Sequence, residues 1–224
     1  MTTFDLTAYA RSCGVAEPER FAARCETFRQ FLAAANQRVN LTRIVDPIPF
    51  AVKHAADSLS AVTALPELAA QTLTICDVGC GAGFPSLILA LAFPQLRITA
   101  VDSTRKKVDF VAAASRELGL TGVTAVQGRV NELNRRPEWR HRFDCVTARA
   151  VASSPELARD ASELPKPEGC FLFYKTPDQV ASEWPELTKL TPKLHREWNA
   201  GPVFSLPLEG GSRQFIRSGA EVRR

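Results

Sequence analysis

Apolar and polar residues follow two different rhythms along the chain. Over residues 1–70 the apolar positions recur at three- and four-residue steps, as at Phe21, Cys25, Phe28, Leu32 and Ala35. That period lines one face of a helix, which Pro18 opens. A shorter helix is expected around Phe4, Leu6, Tyr9 and Ala10. Asn36, Asn40 and Thr42 are turn formers. Asp46-Pro47 then predicts a helix start, with the aspartate as N-cap and the proline at the first position. Ala51, Ala55, Leu59 and Val62 share a face of that helix. From Leu73 the rhythm changes to short, mostly apolar runs at residues 73–78, 97–101, 123–126, 143–148 and 170–175. Runs of that kind are strands covered on both faces, as in a parallel sheet. Helical stretches separate them, at 85–92, 103–118, 154–164 and 176–187. A late pair of strands, at 194–198 and 214–217, is joined by a turn at Gly201-Pro202 and predicts antiparallel pairing at one edge. The expectation is an α/β fold: a Rossmann-like, mostly parallel sheet with an antiparallel edge strand and a helical N-terminal extension. Residues 1–70 form the extension and residues 71–224 the sheet domain, packed as one unit.

The stretch LTICDVGCGAGFP, residues 73–85, organises this pattern. A buried strand runs into Gly79, Gly81 and Gly83, and Pro85 suits the first turn of a helix. A strand, a glycine turn and a helix start make a nucleotide site at the carboxyl end of a strand. The dinucleotide spacing G-x-G-x-x-G would need a third glycine where Phe84 stands. The spacing here is G-x-G-x-G after Asp77, the pattern of enzymes that use S-adenosylmethionine. The next strand ends in Asp102, a place from which a carboxylate accepts hydrogen bonds from both ribose hydroxyls. Ligands in such sheets lie over the carboxyl ends of the strands, so the other strand ends are candidates too. They offer Ser103 and Thr104, then Arg129, Val130 and Asn131, then Arg149. Val130 and Asn131 can give adenine an apolar wall and a polar edge partner; Asn131 serves equally as a helix cap. Arg149 could meet a methionine carboxylate, a phosphate or a neighbouring aspartate.

Composition narrows the picture little. The net charge of +4 announces no polyanion, so RNA contact must come from local groups. Arg43, Lys53, Arg105 with Lys106 and Lys107, and the run Arg135, Arg136, Arg140 and Arg142 are the candidates; Trp139 within that run could stack on a base. The six cysteines form no C-x-x-C pair, and no Cys/His spacing suits zinc, so no metal is expected. Cys76 and Cys80 are read as small core residues in a reducing compartment. The acidic residue among the first ten argues against a signal peptide, and no apolar run is long enough for a membrane span. The expected location is the cytoplasm.

The segments NQRVNLTRI, KHAADSL, DVGCGAGFP, VDSTRKKVDF, GRVNEL and FDCVTARAVAS resemble the RsmG (GidB) family, from about residue 20 into the last strands. The resemblance implies a bacterial methyltransferase acting on N7 of one guanosine in 16S ribosomal RNA. It implies S-adenosylmethionine contacts at Gly79, Phe84, Asp102, Ser103, Thr104, Val130, Asn131 and Arg149, to which the strand-end reading adds Gly81. It lends weight to Arg43 and Lys53 as RNA contacts beside Arg105. The partner is then 16S ribosomal RNA or the small ribosomal subunit, with no membrane, and the protein is expected to be a monomer. The chain departs from the family at Ala35 (usually tryptophan), Ser86 and Thr176 (usually glycine) and Asn131 (usually glutamate). Guanine N7 has no proton to lose, so the reaction needs positioning and no general base, and no catalytic residue is named. The N-P-P-Y loop used on exocyclic amines is absent after the fourth strand, where ARAVAS stands. A small-molecule methyltransferase, and an RNA-binding assembly factor without activity, are the alternatives.

Overall fold

The computed structural model describes residues 3–221; the outer ends of the two expected segments, at residues 1 and 224, lie outside them. The described residues form eight strands: β1 (Thr74–Val78), β2 (Arg97–Asp102), β3 (Val123–Gln127), β4 (Phe143–Arg149), β5 (Pro165–Lys175), β6 (Arg196–Ala200), β7 (Phe204–Ser205) and β8 (Ser212–Glu221). Their order in the sheet is β3-β2-β1-β4-β5-β8-β6, with the short β7 pairing β8. Strands β1 to β5 pair in parallel. The antiparallel strand is β8, which lies one place in from the margin, between β5 and β6. The order reverses between β2 and β4, beside β1, and that reversal leaves a crevice at the carboxyl ends of the strands.

Helices cover both faces. The helices Pro18–Asn36, Ser86–Ala92 and Arg105–Glu117 pack one face, where Phe21, Phe28, Leu87, Ile88 and Val111 are buried. The helices Ser154–Asp160 and Pro177–Thr188 pack the other, around Phe171, Phe173 and Leu187. The N-terminal extension is tied to the sheet by aromatic rings: Phe28 and Phe50 lie 5.4 and 5.9 Å from the ring of Phe84. Among the described residues, no helix is long and apolar enough to cross a membrane.

Several boundaries differ from the expected ones. β5 begins at Pro165, not at residue 170, because Pro165 pairs with Phe143 before a register shift; a proline is tolerated at the first residue of a strand. The helix after Ser153 stops at Asp160, and residues 161–164 turn into β5. Ser103 caps nothing: Thr104 is the N-cap, and the Thr104 amide donates to Asp102 Oδ1 instead. Asp46 precedes its helix as expected but makes no side-chain cap bond. The segment after it is not one regular helix. It runs as an α-turn (Pro47–Phe50), a π-helical stretch (Ala51–Ala56), an α-turn (Asp57–Leu59) and a 3₁₀ turn (Ser60–Thr63). A π stretch inside a helix frequently marks a working site.

Candidate active site

The cleft at the sheet's reversal has a volume of about 530 Å³, within the range of small-molecule sites. Gly79, Asp102, Ser103 and Thr104 line one side, and Val130 and Asn131 another. The opposite wall comes from the turn after β4, at Ala150, Val151 and Ala152. The first wall exists because the backbone turns in ways open to glycine: φ is 71° at Gly79 and 54° at Gly81. A Cβ at Gly81 would meet nothing nearer than the Gly79 carbonyl at 4.0 Å, so the protein leaves that side open to an incoming group.

Asp102 ends β2 and is only 6% exposed. Its Oδ2 accepts from the Gly81 amide at 3.0 Å and its Oδ1 from the Thr104 amide at 2.9 Å. Lys107 Nζ stands 3.8 Å away. An ionised carboxylate has about four acceptor positions, so two remain after the amides are served. That spare capacity, at the rim of the cleft, fits a ribose with two vicinal hydroxyl donors. The open Gly81 side and the Val130–Asn131 wall fit the remainder of S-adenosylmethionine.

Phe84 and Arg149 are not in this cleft. They belong to a second cluster, on the extension's side of the glycine turn. Phe84 stacks on His54 with ring centroids 3.9 Å apart and planes 9° from parallel. Arg149 Nη1 donates to Asp57 Oδ2 at 2.9 Å and to the Lys53 carbonyl at 3.1 Å, and its Nη2 donates to His54 Nδ1 at 3.0 Å. Of the three partners weighed for Arg149, the neighbouring aspartate is the one it meets. Asp57, 2% exposed, also accepts from Arg213 Nε at 2.9 Å. Burial, with the Arg149 charge beside it, lowers the His54 pKa to about 3, so the imidazole is neutral. With Nδ1 accepting from Arg149, Nε2 carries the proton and donates to Thr42 Oγ1 at 3.3 Å. Thr42 is held in turn by Asn36, whose Oδ1 accepts from the Leu41 and Thr42 amides. The motif NQRVNLTRI is thus a loop built to place Thr42 against His54.

The remaining candidates scatter. Arg43 and Lys53 are exposed on the extension. Arg105 is exposed and pairs with Asp109 at 2.9 Å. Trp139 is buried against Phe143 and cannot stack on a base as it stands. Two departures from the family pattern have local partners: Ser86 Oγ donates to Asp77 Oδ2, and Thr176 forms a capping box with Gln179. Burial raises the Asp77 carboxyl to about 7, with Ser86 opposing it. Reading the sequence missed Arg213, 156 residues from its partner Asp57. It also missed the Lys175–Glu183 pair at 2.9 Å and the cleft-lining Val151, and it took Lys107, which lines the cleft, only as an RNA contact. Lys107 stands five residues after Asp102, close enough in sequence to be suspected as a cleft residue.

A parallel sheet reversing beside a glycine turn, with an acid closing the next strand, defines the class of nucleotide-fold methyltransferases. Solved structures share the layout: an O-methyltransferase from Bacillus cereus in complex with SAH aligns with a TM-score of 0.59 at 13% identity, over 87% of this chain and 90% of that one. The O-methyltransferase TomG from Streptomyces achromogenes, in complex with SAM, aligns with a TM-score of 0.58 at 17% identity, over 88% and 89%. Within that class, the chain belongs to the GidB family, rRNA small subunit methyltransferase G, whose model matches residues 22–200. It is 36% identical over 217 residues to a ribosomal RNA small subunit methyltransferase G of Leuconostoc mesenteroides, covering 97% of this chain and 90% of the relative. It is 42% identical over 163 residues to one of Limosilactobacillus fermentum; that match spans 72% of this chain and 66% of the relative.

Proposed function

We propose that the protein transfers the methyl group of S-adenosylmethionine to N7 of a guanosine in 16S ribosomal RNA. The observation that carries the proposal is a buried Asp102 with two unused acceptor positions, facing a cleft of nucleotide size in a chain of the GidB family. Asp102 holds the ribose, with Gly79, Gly81, Ser103 and Thr104 shaping the turn around it. Val130 and Asn131 hold the adenine. Phe84 and Arg149 back the glycine turn on its side facing the extension, where they meet His54 and Asp57. S-adenosylmethionine, when bound, supplies a methyl group already activated on a sulfonium.

N7 presents a free lone pair, so the chain's task is alignment and exclusion of water, not removal of a proton. His54 fits that division of labour. Its ring is neutral, stacked and bonded at both nitrogens, which suits a fixed support between the extension and the cleft. Arg43, Lys53 and Arg105 are exposed cations placed to meet phosphates. The test is methyl transfer from labelled S-adenosylmethionine to ribosomal RNA and to small-subunit particles from a strain lacking its own enzyme. Label in the RNA of either is expected. Label only in a metabolite extract would make the protein a small-molecule enzyme, and RNA affinity without cofactor binding would make it an assembly factor.

A further inference from the structure

We propose that Cys145 and Cys170 form a reversible dithiol site, in which Cys170 meets a small peroxide in a cavity at the amino ends of the strands and Cys145 closes the resulting disulfide. The cofactor cleft takes no part in it.

The site lies at the opposite edge of the sheet from that cleft. A cavity of about 560 Å³ opens there. Leu73, just ahead of β1, and Asp144, near the start of β4, line one side, and Phe215 and Arg217 of β8 line another. Cys170 faces the same space. Glu67 brings in the extension, and its Oε2 is buried without a hydrogen-bond partner among the described residues. The cavity therefore holds an acceptor with no donor of the protein's own.

Strand register brings the two cysteines together. Cys145 of β4 pairs with Cys170 of β5 in parallel, and both enter the core on the extension's face of the sheet. Neighbouring strands lie about 4.8 Å apart, within the roughly 4.4–6.8 Å between the α-carbons of bridged cysteines. The backbone already stands at bridging distance. The two thiols differ in access. Cys170 is 6% exposed and lines the cavity, whereas Cys145 is 1% exposed and sits behind it. An oxidant entering the cavity meets Cys170 first.

The charges favour the same order. Arg217 is fixed beside the pair: its Nη1 donates to the Ala64 carbonyl at 2.9 Å, and its Nη2 stands 4.0 Å from Glu67 Oε1. The hydrogen bond from Cys145 holds the Cys170 thiol below its ordinary pKa; burial works against that bond and the Arg217 guanidinium works with it. The same bond, with burial, holds the Cys145 thiol well above its ordinary value. Burial raises the thiols of Cys13, Cys25, Cys76 and Cys80 as well. One thiol of the chain is thus prepared to ionise, and its strand neighbour is a second thiol. A thiolate beside a resolving cysteine is the arrangement of reversible redox sites.

The chemistry balances with a peroxide as oxidant. The Cys170 thiolate attacks one peroxide oxygen; the S–O bond forms as the O–O bond breaks, and hydroxide leaves and takes up the proton that Cys170 lost. Cys145 then attacks the sulfenic sulfur. The S–S bond forms as the S–O bond breaks, and the second hydroxide leaves with the Cys145 proton as water. The sulfurs give up two electrons and the peroxide accepts them.

The experiment exposes the reduced full chain, in its native state, to a small excess of hydrogen peroxide. N-ethylmaleimide then caps the remaining thiols, peptide mass mapping locates the bridges, and circular dichroism follows the fold. The expected result is a Cys145–Cys170 disulfide formed about tenfold or more faster than any change at Cys13, Cys25, Cys76 or Cys80, and reversed by dithiothreitol. Phenylarsine oxide, which joins paired thiols, is expected to protect the same two. Cys145→Ala should leave a Cys170 sulfenic acid that dimedone traps, and Cys170→Ala should leave Cys145 unmodified. Arg217→Gln should slow the bridge about tenfold. Oxidation spread evenly over the six cysteines, or beginning only once urea has unfolded the chain, would overturn the proposal. So would a Cys170 sulfinic acid beside a Cys145 that stays reduced.

Discussion

Asp102 and Asp57 are two buried carboxylates on opposite sides of one glycine turn, and they differ in what their oxygens have left to give. Asp102 is met by two backbone amides and a lysine at 3.8 Å. Asp57 is met by two guanidinium groups, Arg149 at 2.9 Å and Arg213 at 2.9 Å. Amides orient a carboxylate while leaving acceptor positions unused; two forked cations consume them. The first arrangement suits holding a ligand, and the second suits holding the protein's own parts together. Buried charge alone does not separate a binding acid from a structural one. The partner type does.

Substitutions break that comparison in order of effect. Asp102→Ala should weaken S-adenosylmethionine by about a hundredfold or more, since two hydrogen bonds to a charged acceptor are lost at roughly 1.5 kcal/mol each; titration calorimetry reads it. Asp57→Ala should act mainly on stability. It leaves two guanidinium groups facing each other without their acid, a loss of about 3 kcal/mol or more, which calorimetric melting would register as a Tm drop of about 6–12 °C. Its effect on cofactor affinity should be smaller than that of Asp102→Ala; the reverse ranking would exchange the roles assigned to the two acids.

The pH dependence of melting sharpens the same division. His54 is depressed to about 3, so the unfolded chain takes up a proton that the folded one refuses. Its contribution is full above about pH 6.5 and lost as pH falls towards 3. Asp77 is raised to about 7, so its contribution is full below about pH 4 and lost as pH rises through 7. The two slopes oppose each other between pH 4 and 6.5. Asp77→Asn should therefore unmask a Tm that rises with pH over that window, and His54→Gln one that falls. Parallel profiles in both variants would refute the pair of assignments. The smallest effect is expected at Arg105→Ala, whose exposed pair with Asp109 is worth about 0.5 kcal/mol or less. Filter binding should show at most a few-fold loss in RNA affinity.

The sheet was legible because its parallel strands are short, mostly apolar runs, and because helical periods fill the gaps. Asp102, Ser103, Thr104, Val130 and Asn131 could be placed at one rim for the same reason: a parallel sheet puts every strand's carboxyl end on one edge. Phe84 and Arg149 were brought to that edge by the same rule, but sequence spacing says nothing of which side of the glycine turn a ring or a guanidinium takes. Packing against Phe28, Phe50 and His54 decides it. Trp139 read as a base-stacking residue because it lies among arginines, yet its ring is buried on Phe143. Arg213 of β8 meets Asp57 of the extension, and Lys175 at the end of β5 meets Ala152 just past the neighbouring β4; no local pattern announces such pairs. The left-handed Ala150 is equally silent, since an alanine carries no signature of the turn it is forced into.

The most direct test of the central claim is nucleotide-level mapping of N7-methylguanosine in small-subunit ribosomal RNA, incubated with S-adenosylmethionine and either the unaltered protein or Asp102→Ala. The account predicts one guanosine modified by the first and left unmodified by the second. An RNA with no new N7-methylguanosine, or one modified equally by both, would contradict it.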